Sequence, residues 1–90
     1  MKVAERWKWI KVNYGLTKEQ WFGLFERQGN RCGCCGRTEP ASKRGWHVDH
    51  DHTTGKVRGI VCHGCNMMIG AARDSVDVLA SGIDYLNRTK

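Results

Sequence analysis

The residues able to do chemistry in this chain are concentrated between positions 32 and 66. Cys32-Gly33-Cys34-Cys35 and Cys62-His63-Gly64-Cys65 each hold a C-x2-C pair, Cys32 with Cys35 and Cys62 with Cys65. Such a pair turns tightly enough to aim both sulfurs at one ion. Two pairs close a tetrahedral four-sulfur site, the geometry of structural zinc. The neighbouring glycines let the knuckle backbone turn. Cys34 is spare in this reading. A Cys32/Cys34 pairing is the competing register, but C-x-C matches the second pair less well. Four sulfur ligands leave no open position for water or substrate, so catalysis, where there is any, lies elsewhere.

Between the two cysteine pairs runs Val48-Asp49-His50-Asp51-His52. In an extended segment Asp49 and Asp51 face one way, and His50 and His52 the other. A turn after Asp49 breaks that alternation and brings Asp49 and His50 together. Asn66 directly follows the last cysteine, so a bound zinc ion fixes it at the start of a helix, near the end of the intervening hairpin. Asp49 and Asn66 offer two oxygen ligands of the kind that Mg2+ or Mn2+ takes. His50 is of the residue type that most often serves as a general base. Plainer readings stand beside these. The acid-histidine run suits a solvated turn, and Asn66 suits a helix cap. His50 and His52 are conceivable zinc ligands, although H-x-H is tighter than the spacing found in zinc fingers. His47 reads as a strand residue and His63 as a polar knuckle residue.

These groups need a scaffold, and its elements are legible. Thr17 with Gln20 forms a capping box opening a helix over about 17–28. Trp21, Leu24 and Phe25 then share its inner face, and Gly29-Asn30 stops it. Residues 31–46 read as turns and loop. Residues 46–49 and 56–61 read as two strands of a hairpin around Thr53-Thr54-Gly55. A helical pattern follows over 66–72. Another helix spans about 75–87, capped by Asp74 or Ser75, with Val76, Leu79, Ile83 and Leu86 on one apolar stripe. Residues 1–13 form a basic arm or a short helix packed by its tryptophans.

Composition sets the limits. Ninety residues make room for one domain. Leu, Ile, Val and Phe together number 17, a thin aliphatic core that calls for a staple such as zinc. No apolar run approaches a membrane span, and residues 1–7 hold no stretch resembling a signal peptide. A cytoplasmic protein is the expectation, where clustered cysteines bind metal more often than they pair. The odd count of five also fits a disulfide framework badly. The net charge is +6. Residues 1–30 and 31–60 each carry six basic and three acidic groups, whereas residues 61–90 carry three of each. A basic surface of this kind points to a polyanion, most often nucleic acid.

Taken together, Leu16-Thr17-x-x-Gln20, Cys32-x-x-Cys35, Val48-Asp49-His50-Asp51-His52, Lys56-Val57-Arg58-Gly59, Cys62-x-x-Cys65-Asn66 and Ile69-Gly70 form an ordered pattern. It resembles the recombination endonuclease VII family of HNH nucleases, many of them phage-encoded. The resemblance covers about residues 14–87. It implies a small α+β fold: a ββα-metal (HNH, or His-Me finger) core with a structural four-cysteine zinc site and flanking helices. Residues 14–90 would form that endonuclease domain, preceded by the 1–13 segment. Cys32, Cys35, Cys62 and Cys65 would hold zinc. Asp49 and Asn66 would hold a catalytic Mg2+ or Mn2+ ion, and His50 would activate water. His52, Lys56 and Arg58 are candidate phosphate contacts. The partner implied is DNA, with no membrane, in the cytoplasm of the host bacterium if phage-encoded. The pattern leaves monomer or homodimer open. A zinc-stabilised DNA-binding module without catalysis is the main rival, and a zinc interaction scaffold a third reading.

On either DNA-binding reading, phosphate contacts release counterions. Affinity for duplex DNA measured by fluorescence anisotropy should then fall at least tenfold between roughly 50 and 200 mM salt. A flat salt response would contradict a basic DNA-facing surface.

Overall fold

The computed structural model describes residues 3–90. Six elements follow in order: α1 (Val3–Tyr14), α2 (Lys18–Arg27), β1 (His47–His50), β2 (Val57–Val61), α3 (His63–Ala71) and α4 (Val76–Arg88). The chain is thus a small α+β protein of four helices and one two-stranded sheet among the described residues. No helix there is long and apolar enough to cross a membrane.

The start and stop of α2 follow the capping chemistry legible in the sequence. The Gln20 amide donates to Thr17 Oγ1 at 3.1 Å, and the Thr17 amide donates to Gln20 Oε1 at 2.9 Å. At the other end, Asn30 N–H reaches Phe25 O and Gly29 N–H reaches Glu26 O, each at 2.9 Å. That pair of bonds closes a Schellman turn, with Gly29 at φ 81°. Its inner face is aromatic: Trp21 stacks on Phe25 at 5.2 Å and meets the edge of Trp7 at 5.6 Å.

The segment 1–13, left between arm and helix by the sequence, is helical from residue 3 and contributes Ile10 to the core. Ile10, Trp21, Val48 and Ile60 form the buried centre, with Trp7, Leu24, Phe25 and Trp46 packed on it. Trp46 also packs on a second buried cluster, formed by Cys32, Val61, Cys62 and Cys65. The core is therefore continuous from the aromatic helices to the cysteines.

The hairpin is antiparallel, with Val48 opposite Ile60 and Asp49 opposite Gly59. His50 then pairs with Val57, so Arg58 is an extra residue and the ladder bulges there. Bulges of this kind re-aim side chains. At the tip, Asp51 Oδ1 accepts from the amides of Thr53 and Thr54 at 2.8 and 3.0 Å. These bonds hold the Asp51 carboxyl below its ordinary pKa and make it a turn former.

Two expectations need correction. The strands begin one residue later than the sequence suggests, at His47 and Val57, and β1 continues to His50. Helix α3 begins at His63 rather than after Cys65, because Cys62 itself is the cap. The apolar stripe of α4 is not covered by a core. That helix buries no residue, and Val76, Ile83 and Leu86 are 78, 62 and 66% exposed. Periodicity marks an apolar face, but it does not say whether another element reaches it.

The outer edge of β2 is closed by a side chain. Gln28 Oε1 accepts from Ile60 N–H at 2.8 Å, and Gln28 Nε2 donates to Ile60 O at 2.8 Å. Its amide therefore substitutes for the peptide of an absent third strand. Nε2 also donates to Arg31 O at 2.8 Å, and Gly33 N–H joins it on Ile60 O at 2.9 Å. A Cβ at residue 59 would stand 2.8 Å from Gln28 Oε1, which explains the glycine of Val57-Arg58-Gly59. Ile60 is fully buried, so losing this partner orphans its N–H. Gln28→Ala should cost about 1–3 kcal/mol in a urea melt. An unchanged midpoint would show the edge to be satisfied another way.

Candidate functional site

The site begins at the cysteines. The sulfurs of Cys32, Cys35, Cys62 and Cys65 all lie within 4.8 Å of one another, and Cys34 is outside the group. Cys35 and Cys62 Sγ are 3.9 Å apart. A tetrahedral zinc ion with sulfurs at ~2.3 Å sets sulfur-sulfur separations of about 3.8 Å, so the cluster fits the ion closely. Backbone N–H groups converge on the same sulfurs. Cys32 Sγ accepts from the amides of Cys34 and Cys35 at 3.4 Å and of Cys62 at 3.3 Å. Burial pushes the Cys32 thiol up, but those three amides outweigh it and bring its pKa down to about 6. Cys65 moves the other way, driven upward by burial and then by the neighbouring sulfurs. Four sulfurs this close cannot all carry charge unless a cation sits among them. The cluster could hold a metal ion, and four thiolates suit structural zinc.

The second knuckle is also the first turn of α3. Cys62 Sγ accepts from Cys65 N–H at 3.4 Å, the bond a serine or aspartate oxygen makes at an ordinary N-cap. Negative sulfur there is favoured by the helix dipole. Asn66 follows Cys65 within that turn, half-buried, its amide bonded to Cys62 O at 3.0 Å. Helix α3 packs on β1, the strand carrying Asp49 and His50.

Asp49 is buried, 6% exposed, and its carboxylate is fully engaged. Arg58 Nε donates to Oδ2 at 2.8 Å, and Arg58 Nη2 donates to Oδ1 at 3.0 Å. Nη2 also reaches Asp74 Oδ1 at 3.2 Å. Asp49 first and Asp74 second raise the Arg58 pKa further above its ordinary value. Asp74 Oδ2 in turn accepts from His52 Nδ1 at 2.8 Å and from the His52 amide at 3.2 Å. The carboxylate places the His52 proton on Nδ1 and leaves Nε2 to solvent. His52, then Arg58, holds the Asp74 carboxyl down to about 2. His50 lies beside this chain, its ring 4.8 Å from that of His52 and 5.7 Å from that of Tyr14. Lys56 is exposed at the hairpin turn. His47 and His63 meet at 3.1 Å, and burial, then His63, lowers the His47 pKa.

The structure thus gathers Asp49, Arg58 and, through Asp74, His52 into one linked set, with the His50 ring tilted against that of His52, while Lys56 stands apart. Asp74 and Tyr14 are participants the sequence did not single out. The sequence offers Asp74 as a cap for α4, but Ser75 caps it, accepting from Val78 N–H at 3.1 Å. Two cap-forming residues in a row were the available signal, since only one can cap.

Comparison with known proteins identifies the family. The recombination endonuclease VII family model matches residues 7–88, and the chain belongs to that family. It is 46% identical over 80 residues to the Gene 59 protein of Mycobacterium phage D29, covering 88% of this chain and 48% of that protein. It is 42% identical over 78 residues to the Gene 59 protein of Mycobacterium phage L5, covering 86% of this chain and 47% of that one. The chain spans about half the length of these curated relatives. No solved structure matches it significantly. Family membership makes it a member of a nuclease family.

Zinc binding by small domains is worth about 10–16 kcal/mol, as much as the whole stability of a typical domain. Cys62→Ser removes a sulfur from the cluster while keeping an oxygen that can cap α3, so its effect reports on the metal site. The variant should lose bound zinc by elemental analysis and its cooperative melt by circular dichroism. A zinc-free variant with the wild-type melt would sink the structural role.

Proposed function

We propose that this chain is a DNA endonuclease domain of the HNH, ββα-metal type. It hydrolyses phosphodiester bonds with one divalent ion and His50 as general base. One observation carries the reading. Asp49 and His50 end a strand on which α3 packs, and the first turn of α3, tied to the cysteine cluster, carries Asn66. The catalytic unit is residues 14–90, with α1 packed against it.

The oxygen donors of Asp49 and Asn66 suit Mg2+ or Mn2+. Asp49 is a buried carboxylate whose charge is balanced by the guanidinium of Arg58, so the position already demands a cation. Arg58 is about one third exposed, and an ion on Asp49 would take over its place. The ion, once bound, supplies Lewis-acid stabilisation of charge developing on the phosphate. His50 takes the proton from attacking water, with Tyr14 and His52 orienting its ring. Arg58, retained by Asp74, is then free to contact phosphate. His52 Nε2 and exposed Lys56 extend the phosphate-facing surface.

The bidentate Asp49–Arg58 pair equally suits a DNA-binding module in which Asp49 is purely structural. Supercoiled-plasmid nicking with and without Mg2+ or Mn2+ separates the two. Wild type should nick only with a divalent ion. His50→Ala should lower the rate by roughly 100-fold or more while leaving the gel shift intact. Equal loss of nicking and binding would make His50 a contact residue. Plasmid binding without nicking by either protein would favour the non-catalytic module.

A further inference from the structure

A cleft of about 650 Å³ is lined by Arg6, Trp9, Tyr14, Arg44, Trp46 and His47, with Ile10 and Val48 also in its wall. It runs between α1 and the segment leading into β1. Its volume is that of a small-molecule site. The walls combine cations and rings. Arg6 is steered inward by a bond from its Nη2 to Trp46 O at 3.3 Å. Neither Arg6 nor Arg44 has an ion-pair partner among the described residues. Trp9 meets the edge of Tyr14 at 5.6 Å and stays 47% exposed, an unusual state for an indole on a helix that also feeds the core.

Arginines without carboxylates, set among exposed aromatic rings, match one chemistry well. Guanidinium groups take phosphate, and rings take the face of a base. A base in a duplex shows only its edges, so ring stacking in a recess requires an unpaired nucleotide. The cleft also adjoins the site: Tyr14 lines it and packs on the His50 ring at 5.7 Å. We propose that this cleft binds an unpaired nucleotide of DNA next to the scissile phosphate, its base on Trp9 and its phosphate on Arg6 and Arg44. The assignment deepens the endonuclease reading and rests on DNA being the substrate. It makes a single-stranded segment abutting a duplex the preferred target.

The test is binding without added divalent ion, using a fluorescein-labelled two-strand duplex, blunt at both ends or carrying a thymidine tail. Wild type should bind the tailed duplex more tightly. Trp9→Ala and Arg44→Gln should each reduce that preference by roughly tenfold, about the worth of one stacked base, with affinity for the blunt duplex within twofold of wild type. Arg44→Gln removes no ring from the fold, so it carries the test if Trp9→Ala melts early. No tail preference in wild type, or equal losses on both duplexes, would overturn the proposal. A tail preference that depends on Arg44 in a protein that nicks nothing would keep the cleft and discard the catalytic reading.

Discussion

The rest of this structure depends on one interaction, the packing of four cysteine sulfurs around a single point. The aliphatic core is too small to hold six elements together by itself. The cysteine cluster joins the loop after α2 to the end of β2 and the first turn of α3, about thirty residues further along the chain. Because Cys62 is both a member of the cysteine cluster and the cap of α3, the cluster fixes the direction in which α3 leaves the sheet. The position of Asn66 follows from that direction.

The same economy appears at the sheet. A two-stranded hairpin is marginal alone. Here its outer edge is satisfied by the Gln28 amide and by Gly33 of the first cysteine knuckle. The α2 stop and the first knuckle are therefore both fastened to β2. Trp46, packed on the aromatic cluster and on the cysteine cluster, joins the two halves of the core. Failure at any of these points would be felt at Asp49, which sits opposite Gly59 on the strand they hold.

How much of this was legible depended on the range of each interaction. The Thr17-Gln20 box, the Gly29-Asn30 stop and the C-x2-C pairs are local, and their residues announce them. The two strands were legible within a residue at each end, because alternation is a short-range signal. The Arg58 bulge was not, since it exists only in the pairing of two strands. Arg58 therefore read as a free cation, whereas the bulge turns it onto Asp49. Asp74 and Gln28 were missed for a related reason. Each bonds to residues 16 to 32 positions away, and the one local hint is that Asp74 and Ser75 cannot both cap α4. The α4 stripe shows the converse, a clear local signal with no element packed over it.

The chain Asp49–Arg58–Asp74–His52 has an electrostatic consequence. Two carboxylates share one guanidinium, and the second also holds a histidine. A buried carboxylate without a partner is costly, so Asp49 must be matched by a cation at every stage. Arg58 meets that demand in the protein alone. On the proposed function a divalent ion would meet it instead, leaving Arg58 with Asp74 as its partner and two donors released from Asp49. The bulge would then give one arginine two uses, balancing the carboxylate without the ion and offering donors to phosphate with it. A lysine at position 58 could balance the charge but could not span Asp49 and Asp74 with fixed, planar donors.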